Sequence, residues 1–252
     1  MIRIIMHGCN GKMGQVITSI VEKRTDCTIV AGIDYNTKQL NDYPVFESLD
    51  LCDIDGDVLI DFSIASSLSG LLSAIKIKKL PSVLCTTGFS EEDVAAIHET
   101  SKDVAILYSR NMSLGVNLLI DLVQKATNIL ADAGFDIEII EKHHNQKIDA
   151  PSGTALAFAD AINEVASEPY TYVFDRSKSL EKRTEKEIGI HAIRGGTIVG
   201  EHSIIFAGRD EVIELKHNAN SKEVFAVGAV DAARFLAGKS AGFYTMKDVI
   251  AN

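Results

Sequence analysis

The sequence predicts an α/β protein, with a doubly wound parallel sheet followed by an α+β domain with an open mixed sheet. Two observations predict this class. In the first half of the chain, short apolar runs alternate with helical patterns, as in a parallel sheet covered by helices on both faces. Over residues 188–218, apolar runs are instead separated by glycine turns, which is typical of antiparallel strands.

The first elements form a strand–loop–helix–strand unit. An apolar run predicts a strand over 2–6, and a glycine-rich loop follows over 8–14. Apolar residues at helical spacing predict a helix over 15–24, and a β-branched run predicts a strand over 27–33. Further strands are predicted over 58–62, 82–85 and 104–108, with helices over 65–79 and 90–101 between them. Ser90, with Asp93 three residues later, marks a helix start.

The second half opens with a long amphipathic helix over 115–133. Its apolar side is expected to consist of Leu118, Leu119, Leu122, Ala126, Ile129 and Leu130. A strand over 135–141 and a helix over 152–166 follow, then the glycine-punctuated strands and a closing helix over 224–236.

Composition excludes several function classes. The chain has 252 residues and a formal net charge of −10, which argues against binding to nucleic acid or to an anionic membrane surface. It has no run of about 18 apolar residues and no signal-peptide pattern at its start, so no membrane span is expected. Four scattered cysteines fit free thiols, and we expect a cytoplasmic protein.

The glycine-rich loop is the first candidate site. Gly8, Gly11 and Gly14 follow a strand and open a helix, a placement that lets backbone N–H groups approach a pyrophosphate. Asn10 stands where such Rossmann-like loops often have glycine, and asparagine tolerates positive φ. Asp34 ends the second strand, where a carboxylate can accept the ribose hydroxyls. The pattern predicts a dinucleotide site; the alternatives are a plain tight turn and a solvated Asp34.

The identity of the dinucleotide stays open. NADPH needs a cation near its 2′-phosphate, and no basic residue follows Asp34 before Lys38, although Lys12 could reach the phosphate. The cofactor is therefore NADH or NADPH, with NADH favoured.

Loops after three further strands face the same predicted sheet edge. They are Phe62–Ser63, Cys85–Phe89 and Ser109–Ser113, whose hydroxyls and N–H groups could hold the ribose and nicotinamide. Cys85 invites a nucleophile interpretation, but the local sequence offers no base to activate it.

The most informative segment is a cationic cluster over 141–155. His143, His144 and Lys147 supply positive charge or donors, and Ser152–Thr154 supply hydroxyls and the free N–H groups of a helix start. Together they predict a site for a small dicarboxylate, with one histidine free for proton transfer.

Three other interpretations of this cluster compete. Adjacent histidines in an extended chain point to opposite faces, so we expect no metal site. The segment could be a polar structural loop. A hydrolase triad of Ser152, His143 and Asp149 lacks the usual G-x-S-x-G turn and leaves the glycine loop unexplained.

Residues 141–155, E-K-H-H-N-Q-K-I-D-A-P-S-G-T-A, resemble the signature of the 4-hydroxy-tetrahydrodipicolinate reductase (dihydrodipicolinate reductase) family. Residues 8–14, 61–63, 86–89, 111–117, 194–202 and 238–249 match that family in order. The resemblance implies NAD(P)H-dependent reduction of a cyclic dicarboxylate in the diaminopimelate route to lysine, by a homotetramer. It also implies a nucleotide domain over 1–112 with 223–252, and a substrate and tetramerisation domain over 113–222.

The family pattern implies a role for each matching residue. His143 is the proton donor and Lys147 assists catalysis. The substrate is held by His144, Lys147, Ser152, Gly153 and Thr154. The cofactor is lined by Gly8, Cys9, Asn10, Gly11, Lys12, Met13, Asp34, Phe62, Cys85, Thr86, Thr87, Arg110, Asn111, Met112 and Ser113. Relatives commonly have glycine at position 85 and a small residue or proline at position 110.

Two functions outside this family remain as alternatives. Another Rossmann-fold dehydrogenase of aspartate-family metabolism would need a different substrate motif. A non-catalytic nucleotide sensor would be expected to lack the His-His-Lys cluster, which this chain has.

Overall fold

The structure is a computed structural model that describes residues 1–177 and 180–251. Its strands are β1 (Ile2–His7), β2 (Cys27–Ile33), β3 (Val45–Phe46), β4 (Val58–Asp61), β5 (Ser82–Leu84), β6 (Ala105–Tyr108), β7 (Asp136–His143), β8 (Thr171–Val173), β9 (Glu187–Arg194), β10 (Gly200–Ala207), β11 (Val212–Ala219) and β12 (Gly242–Tyr244). Its helices are α1 (Lys12–Val21), α2 (Leu68–Lys78), α3 (Glu91–Ser101), α4 (Leu114–Leu130), α5 (Gly153–Val165), α6 (Glu223–Leu236) and α7 (Met246–Ile250).

The chain divides into two compact units, one formed by Met1–Leu114 together with the segment from Glu223 onward, the other by Gly115–Lys222. The first unit contains a seven-stranded parallel sheet in the order β12-β6-β5-β4-β1-β2-β3. This confirms the doubly wound, Rossmann-like class. The strand order reverses between β1 and β4, and in such sheets ligands bind at the carboxyl ends of the strands beside that point.

Helices cover both faces of this sheet, which explains why its strands are apolar throughout. Ile4 and Met6 of β1 pack in the core formed with α1 and α6, whereas Ile5 packs in the core formed with α2 and α3. Burial of alternate side chains on opposite faces removes the polar alternation that marks a one-sided sheet. The return of α6 to this unit places the closing helix beside α1.

The second unit contains a mixed five-stranded sheet in the order β11-β10-β7-β9-β8. Helices α4 and α5 pack on one face, against Ile137 and Ile139 of β7. The expectation of antiparallel strands throughout 188–218 is wrong for β9, which pairs in parallel with β7 and β8. Only β10 and β11 form the expected hairpin, because β7 lies between β9 and β10.

The expected apolar side of α4 is also wrong in part. Leu118, Leu122 and Ile129 are 50%, 40% and 71% exposed, and the helix instead buries a side that contains Leu119 and Val123. The helix has two apolar stripes, and the sequence of the helix alone does not predict which of them packs against the sheet.

Most other predicted elements are confirmed, with shifts at their ends. Ser90 caps α3 through the predicted reciprocal hydrogen bonds with Asp93. β7 extends two residues beyond its predicted end and so includes His143. The short elements β3, β8, β12 and α7 were not predicted. In the ranges that the structure describes, no helix is long and apolar enough to cross a membrane.

Candidate active site

The glycine-rich loop is packed so closely that two of its glycines have no room for a side chain. Gly8 has a φ of +78° and donates its N–H to the carbonyl of Ile33 at 2.8 Å. A Cβ at Gly8 would lie 2.5 Å from the carbonyl oxygen of Phe62, and a Cβ at Gly14 would lie 2.6 Å from that of Cys9. The loop therefore presents backbone atoms at the N-terminus of α1, as binding of a pyrophosphate requires.

Asp34 and Asn10 shape the other side of this loop. The carboxylate of Asp34 is nearly buried and accepts hydrogen bonds from the N–H groups of Asn10 and Asn36, both at 3.0 Å. Asn10 does not adopt positive φ, so the expected reason for its presence is wrong. Its side-chain amide instead donates to the carbonyls of Asn36 at 2.6 Å and Lys38 at 2.9 Å, which fixes the segment after β2.

A cavity of about 310 Å³ opens between the ends of β1, β2 and β4. Five residues expected to contact the cofactor line it: Gly8, Gly11, Asp34, Phe62 and Ser63. Sequence reasoning missed several other lining residues, namely His7, Tyr35, Glu47, Ile64 and Ser67. Glu47 follows the two-residue strand β3, which is too short to leave a periodic signal. The volume and the side-chain-free loop fit the adenosine and pyrophosphate part of a dinucleotide.

Buried Asp61 orders the loop that follows β4. One of its carboxylate oxygens accepts the N–H of Ser63 at 3.1 Å and the hydroxyl of Ser63 at 2.6 Å, and lies 2.9 Å from Nδ1 of His7. This carboxylate holds Phe62 and Ser63 beside the cavity.

The remaining expected cofactor residues lie outside the lining of this cavity. Cys9, Cys85 and Met112 are buried in the hydrophobic core, so each offers only backbone atoms to a ligand. Burial raises the pKa of the Cys85 thiol well above its usual value, which removes it as a nucleophile at neutral pH. The hydroxyl of Thr86 is buried and has no hydrogen-bond partner within residues 1–177 and 180–251, which fits a group that a ligand would bind.

The other residues predicted to contact the cofactor range from exposed to buried side chains. Lys12 begins α1 and is exposed, and Met13 next to it packs against the core. Thr87 lies in the loop after β5 and Arg110 in the loop after β6, and both side chains are exposed. Ser113 is buried, and its N–H donates to the side chain of Asn111 at 2.9 Å.

In the second unit, His143 ends β7 with its ring nearly buried. Its Nδ1 lies 2.6 Å from an oxygen of Glu141, which is fully buried two residues earlier on the same face of the strand. The same carboxylate accepts the N–H of Ser152 at 2.9 Å and two hydrogen bonds from Arg194, each at 2.7 Å. Glu141 therefore neutralises the charge of Arg194, which leaves Arg194 with less positive charge to offer a ligand.

Ser152 caps α5, as its position before the helical pattern indicates. Its hydroxyl accepts the N–H of Ala155 at 3.2 Å and lies 3.0 Å from Nε2 of His202. Gly153 and Thr154 form the first turn of the helix. The positive end of the helix dipole thus lies two hydrogen bonds from His143, through Glu141.

The segment between β7 and α5 carries the other two cationic residues. Lys147 turns back on His144 through a backbone hydrogen bond of 3.1 Å, and its ammonium lies 2.8 Å from the carboxylate of Asp149. Nδ1 of His144 is buried, and none of the residues that the structure describes forms a hydrogen bond with it. His144 and Lys147 can therefore offer donors to an anionic ligand.

Sequence reasoning missed His202, although it stands in a segment that carried the resemblance. Its ring packs against His143 at a centroid distance of 5.2 Å, and burial, aided by the charge of His143, lowers the pKa of His202 to about 4. His202 lies opposite Glu141 in the pairing of β10 with β7, and the negative charge of Glu141 raises the pKa of His202, whereas the positive charge of Lys147 lowers it.

The geometry disfavours the hydrolase interpretation. The hydrolase triad is not assembled, because Ser152 contacts His202 rather than His143, and Asp149 pairs with Lys147. Over residues 1–177 and 180–251, no cluster of three His, Cys, Asp or Glu side chains is placed to hold a metal ion.

Nearly the whole chain is similar to known proteins. Residues 2–112 match the family described as dihydrodipicolinate reductase, N-terminus, and residues 115–250 match its C-terminus. The chain is 52% identical to the 4-hydroxy-tetrahydrodipicolinate reductase of Caldanaerobacter subterraneus subsp. tengcongensis over 250 residues, covering 99% of this chain and 98% of that protein. It is also 52% identical to the Clostridium tetani enzyme of the same name over 246 residues, covering 98% and 96%.

A solved structure is similar over nearly the same length. The dipicolinate-bound dihydrodipicolinate reductase from Paenisporosarcina sp. TG-14 aligns with a TM-score of 0.82 and 25% identity, covering 97% of each chain. With the two halves of the family matched in order and relatives more than 50% identical along the chain, this protein belongs to the dihydrodipicolinate reductase family.

Proposed function

We propose that this protein reduces 4-hydroxy-tetrahydrodipicolinate to tetrahydrodipicolinate, with NADH or NADPH as the reductant. The observation that carries the proposal is the cluster at the end of β7. It combines a histidine whose Nδ1 is held by a buried carboxylate, a lysine, and a capped helix start within twelve residues. These groups suit binding of carboxylates and delivery of one proton.

The dinucleotide would lie along the carboxyl ends of the parallel strands in the first unit. When bound, it supplies a hydride to C4 of the substrate ring. Gly8–Met13 would surround the pyrophosphate with backbone N–H groups, and Asp34 and Phe62 would flank the adenosine end. Thr86, Thr87 and the segment Arg110–Ser113 would line the nicotinamide end, beside Cys85. The unpartnered hydroxyl of Thr86 supports this assignment.

NADH is the favoured reductant. The nearly buried Asp34 carboxylate follows the end of β2, and there it would accept the ribose hydroxyls of NADH and repel a 2′-phosphate on that ribose. Like charges about 4 Å apart repel by about 1 kcal/mol even in water. We expect NADH to bind about fivefold more tightly or better.

The substrate carboxylates would be held by His144, Lys147 and the start of α5 at Ser152–Thr154. The unpartnered Nδ1 of His144 and the helix N-terminus support this role. His143 would donate its proton to the ring carbon next to the one that accepts hydride, since its imidazole is held by the buried carboxylate of Glu141, 2.6 Å from Nδ1. Lys147 would also place positive charge beside the reacting ring.

The functional assignment of the units and the oligomeric state are part of the proposal. The first unit would bind the dinucleotide, and the second would bind substrate and form a homotetramer through its sheet. In support, the sheet face opposite α4 and α5 presents Ile193 and Val212, which are 46% and 64% exposed.

The test is a coupled assay in which dihydrodipicolinate synthase supplies the substrate and absorbance at 340 nm follows oxidation of NADH or NADPH. We expect turnover that depends on the synthase product and is inhibited by pyridine-2,6-dicarboxylate. Binding of dinucleotide without turnover would favour a sensor. Oxidation with homoserine-pathway substrates instead would assign a different dehydrogenase.

A further inference from the structure

Glu141 is the most heavily bonded carboxylate of the candidate site. Its side chain is fully buried, and its two oxygens accept four hydrogen bonds, from Nδ1 of His143, the N–H of Ser152 and both terminal nitrogens of Arg194. The distances are between 2.6 and 2.9 Å. A buried carboxylate costs much free energy unless it is paired in this way, so such a network indicates a specific role.

We propose that Glu141, held in place by Arg194, is the positioning residue for His143 and makes Nε2 the atom that delivers the proton. This inference rests on the proposed function, in which His143 is the proton donor. Glu141 itself does not contact the substrate; it acts through the imidazole.

The chemistry of the contact sets the tautomer. An ionised carboxylate only accepts hydrogen bonds, so Nδ1 of His143 must carry a hydrogen. Nε2 then changes its protonation as the proton is transferred. A Cβ at Gly200 would lie 3.1 Å from that Nε2, so the glycine keeps a side chain away from the reacting edge of the ring.

The charges around His143 support the same assignment. Burial raises the pKa of the Glu141 carboxyl, but hydrogen bonds from Arg194, His143 and Ser152 outweigh it, so that its pKa is lowered overall. The hydrogen bond to Glu141 in turn raises the pKa of Arg194. Both partners stay charged, so that an ionised carboxylate lies 2.6 Å from Nδ1 of His143.

The other groups near His143 do not compete for its proton. His202 on β10 contacts its ring and has a lowered pKa, so it stays neutral, and it lies opposite His217 on β11. The positive charge of Lys147 contributes to lowering the pKa of His202. Arg194 on β9 lies directly opposite His143 in the strand pairing, and its guanidinium forms a salt bridge with Glu141.

The network also couples proton delivery to substrate binding. The oxygen that accepts the N–H of Ser152 belongs to the carboxylate that holds His143, so the start of α5 and the imidazole share one anchor. Loss of the charge at Glu141 should therefore affect kcat through His143 and, to a smaller extent, KM through Ser152.

The experiment measures log kcat against pH for the wild type and for Glu141→Gln. Glutamine keeps the shape but removes the charge that stabilises the imidazolium, so we expect the basic limb to move down by about one pH unit or more. At pH values above that limb, kcat falls about tenfold or more, while KM changes less. Glu141→Asp keeps the charge and is expected to retain the position of the limb at a lower kcat.

Glu138→Gln is a matched control on the same strand. Glu138 lies on the opposite face of β7 and has similar partners, Arg176, Arg183 and His191, but no contact with His143. We expect this variant to lose stability without a shift of the pH profile. A basic limb at the wild-type position in folded Glu141→Gln would overturn the proposal.

A measurement on the wild type alone guards against variants that fail to fold. The ¹⁵N NMR shifts of His143 should report hydrogen on Nδ1 and none on Nε2 at high pH, and hydrogen on Nε2 instead would overturn the proposal. His143→Ala separates the two claims. An unchanged kcat in that variant removes His143 as proton donor, whereas a large loss with an unshifted Glu141→Gln profile rejects only the role of Glu141.

Discussion

Gly14→Ala should weaken dinucleotide binding through steric conflict alone. The new Cβ would lie 2.6 Å from the carbonyl oxygen of Cys9, and it would also collide with the carbonyl of Gly8. Ordinary contacts begin at 3.4 Å, so the carbonyl of Cys9 must move by about 0.8 Å and the closer carbonyl of Gly8 by more. Overpacking of this kind costs about 1–3 kcal/mol. If that cost falls on the bound state, the affinity for NADH drops about 5- to 150-fold.

The assay is calorimetric titration with NADH, together with thermal unfolding of the same samples. Gly70→Ala is the matched control, because a Cβ at Gly70 on α2 meets nothing within 4 Å. That control should keep the affinity and gain about 0.5–1 kcal/mol of stability from helix propensity. Gly14→Ala with wild-type affinity and a wild-type melting temperature would refute the close packing of the loop.

Three further outcomes are expected. Lys147→Ala should raise the Kd for pyridine-2,6-dicarboxylate about tenfold or more, because a charge-assisted contact is lost. Lys142→Ala is the control and should leave this Kd unchanged, since the ammonium of Lys142 pairs with Glu201 at 3.2 Å. Equal affinities of the two variants in calorimetry would reject the role of Lys147. Asp34→Asn should narrow the gap between the Kd values for NADH and NADPH, and an unchanged ratio would show that this carboxylate does not select the cofactor. Ser90→Ala should lower the free energy of unfolding, measured in urea, by about 0.5–2 kcal/mol without any change in kcat, because it removes only the cap of α3. A variant as stable as the wild type would show that this cap does not stabilise the protein.

The sequence predicted the parts of the fold that depend on local pattern. Five strands of the first unit (β1, β2, β4, β5 and β6), the glycine-rich loop and the caps at Ser90 and Ser152 follow from residues close together in the chain. Pairing between distant segments was not predictable in this way. The pattern of residues 187–207 does not indicate that β7 lies between β9 and β10 in the sheet. Helix α4 has two apolar stripes, and only one of them is buried.

The same division holds for the candidate site. His143, Lys147 and Ser152 lie in one segment and could be recognised together. The partners Arg194 and His202 come from β9 and β10, and only the register of the sheet brings them beside Glu141 and His143. Glu141 was part of the recognised signature, but its function depends on these distant groups and on its complete burial.

The most direct test of the account is kcat of His143→Ala in the coupled assay, with binding of pyridine-2,6-dicarboxylate measured on the same preparation. Loss of a general acid lowers kcat about 10²- to 10⁴-fold, while His144, Lys147 and the start of α5 should keep the affinity for the dicarboxylate near that of the wild type. A wild-type kcat in His143→Ala would contradict the assignment of the proton donor and the mechanism built on it.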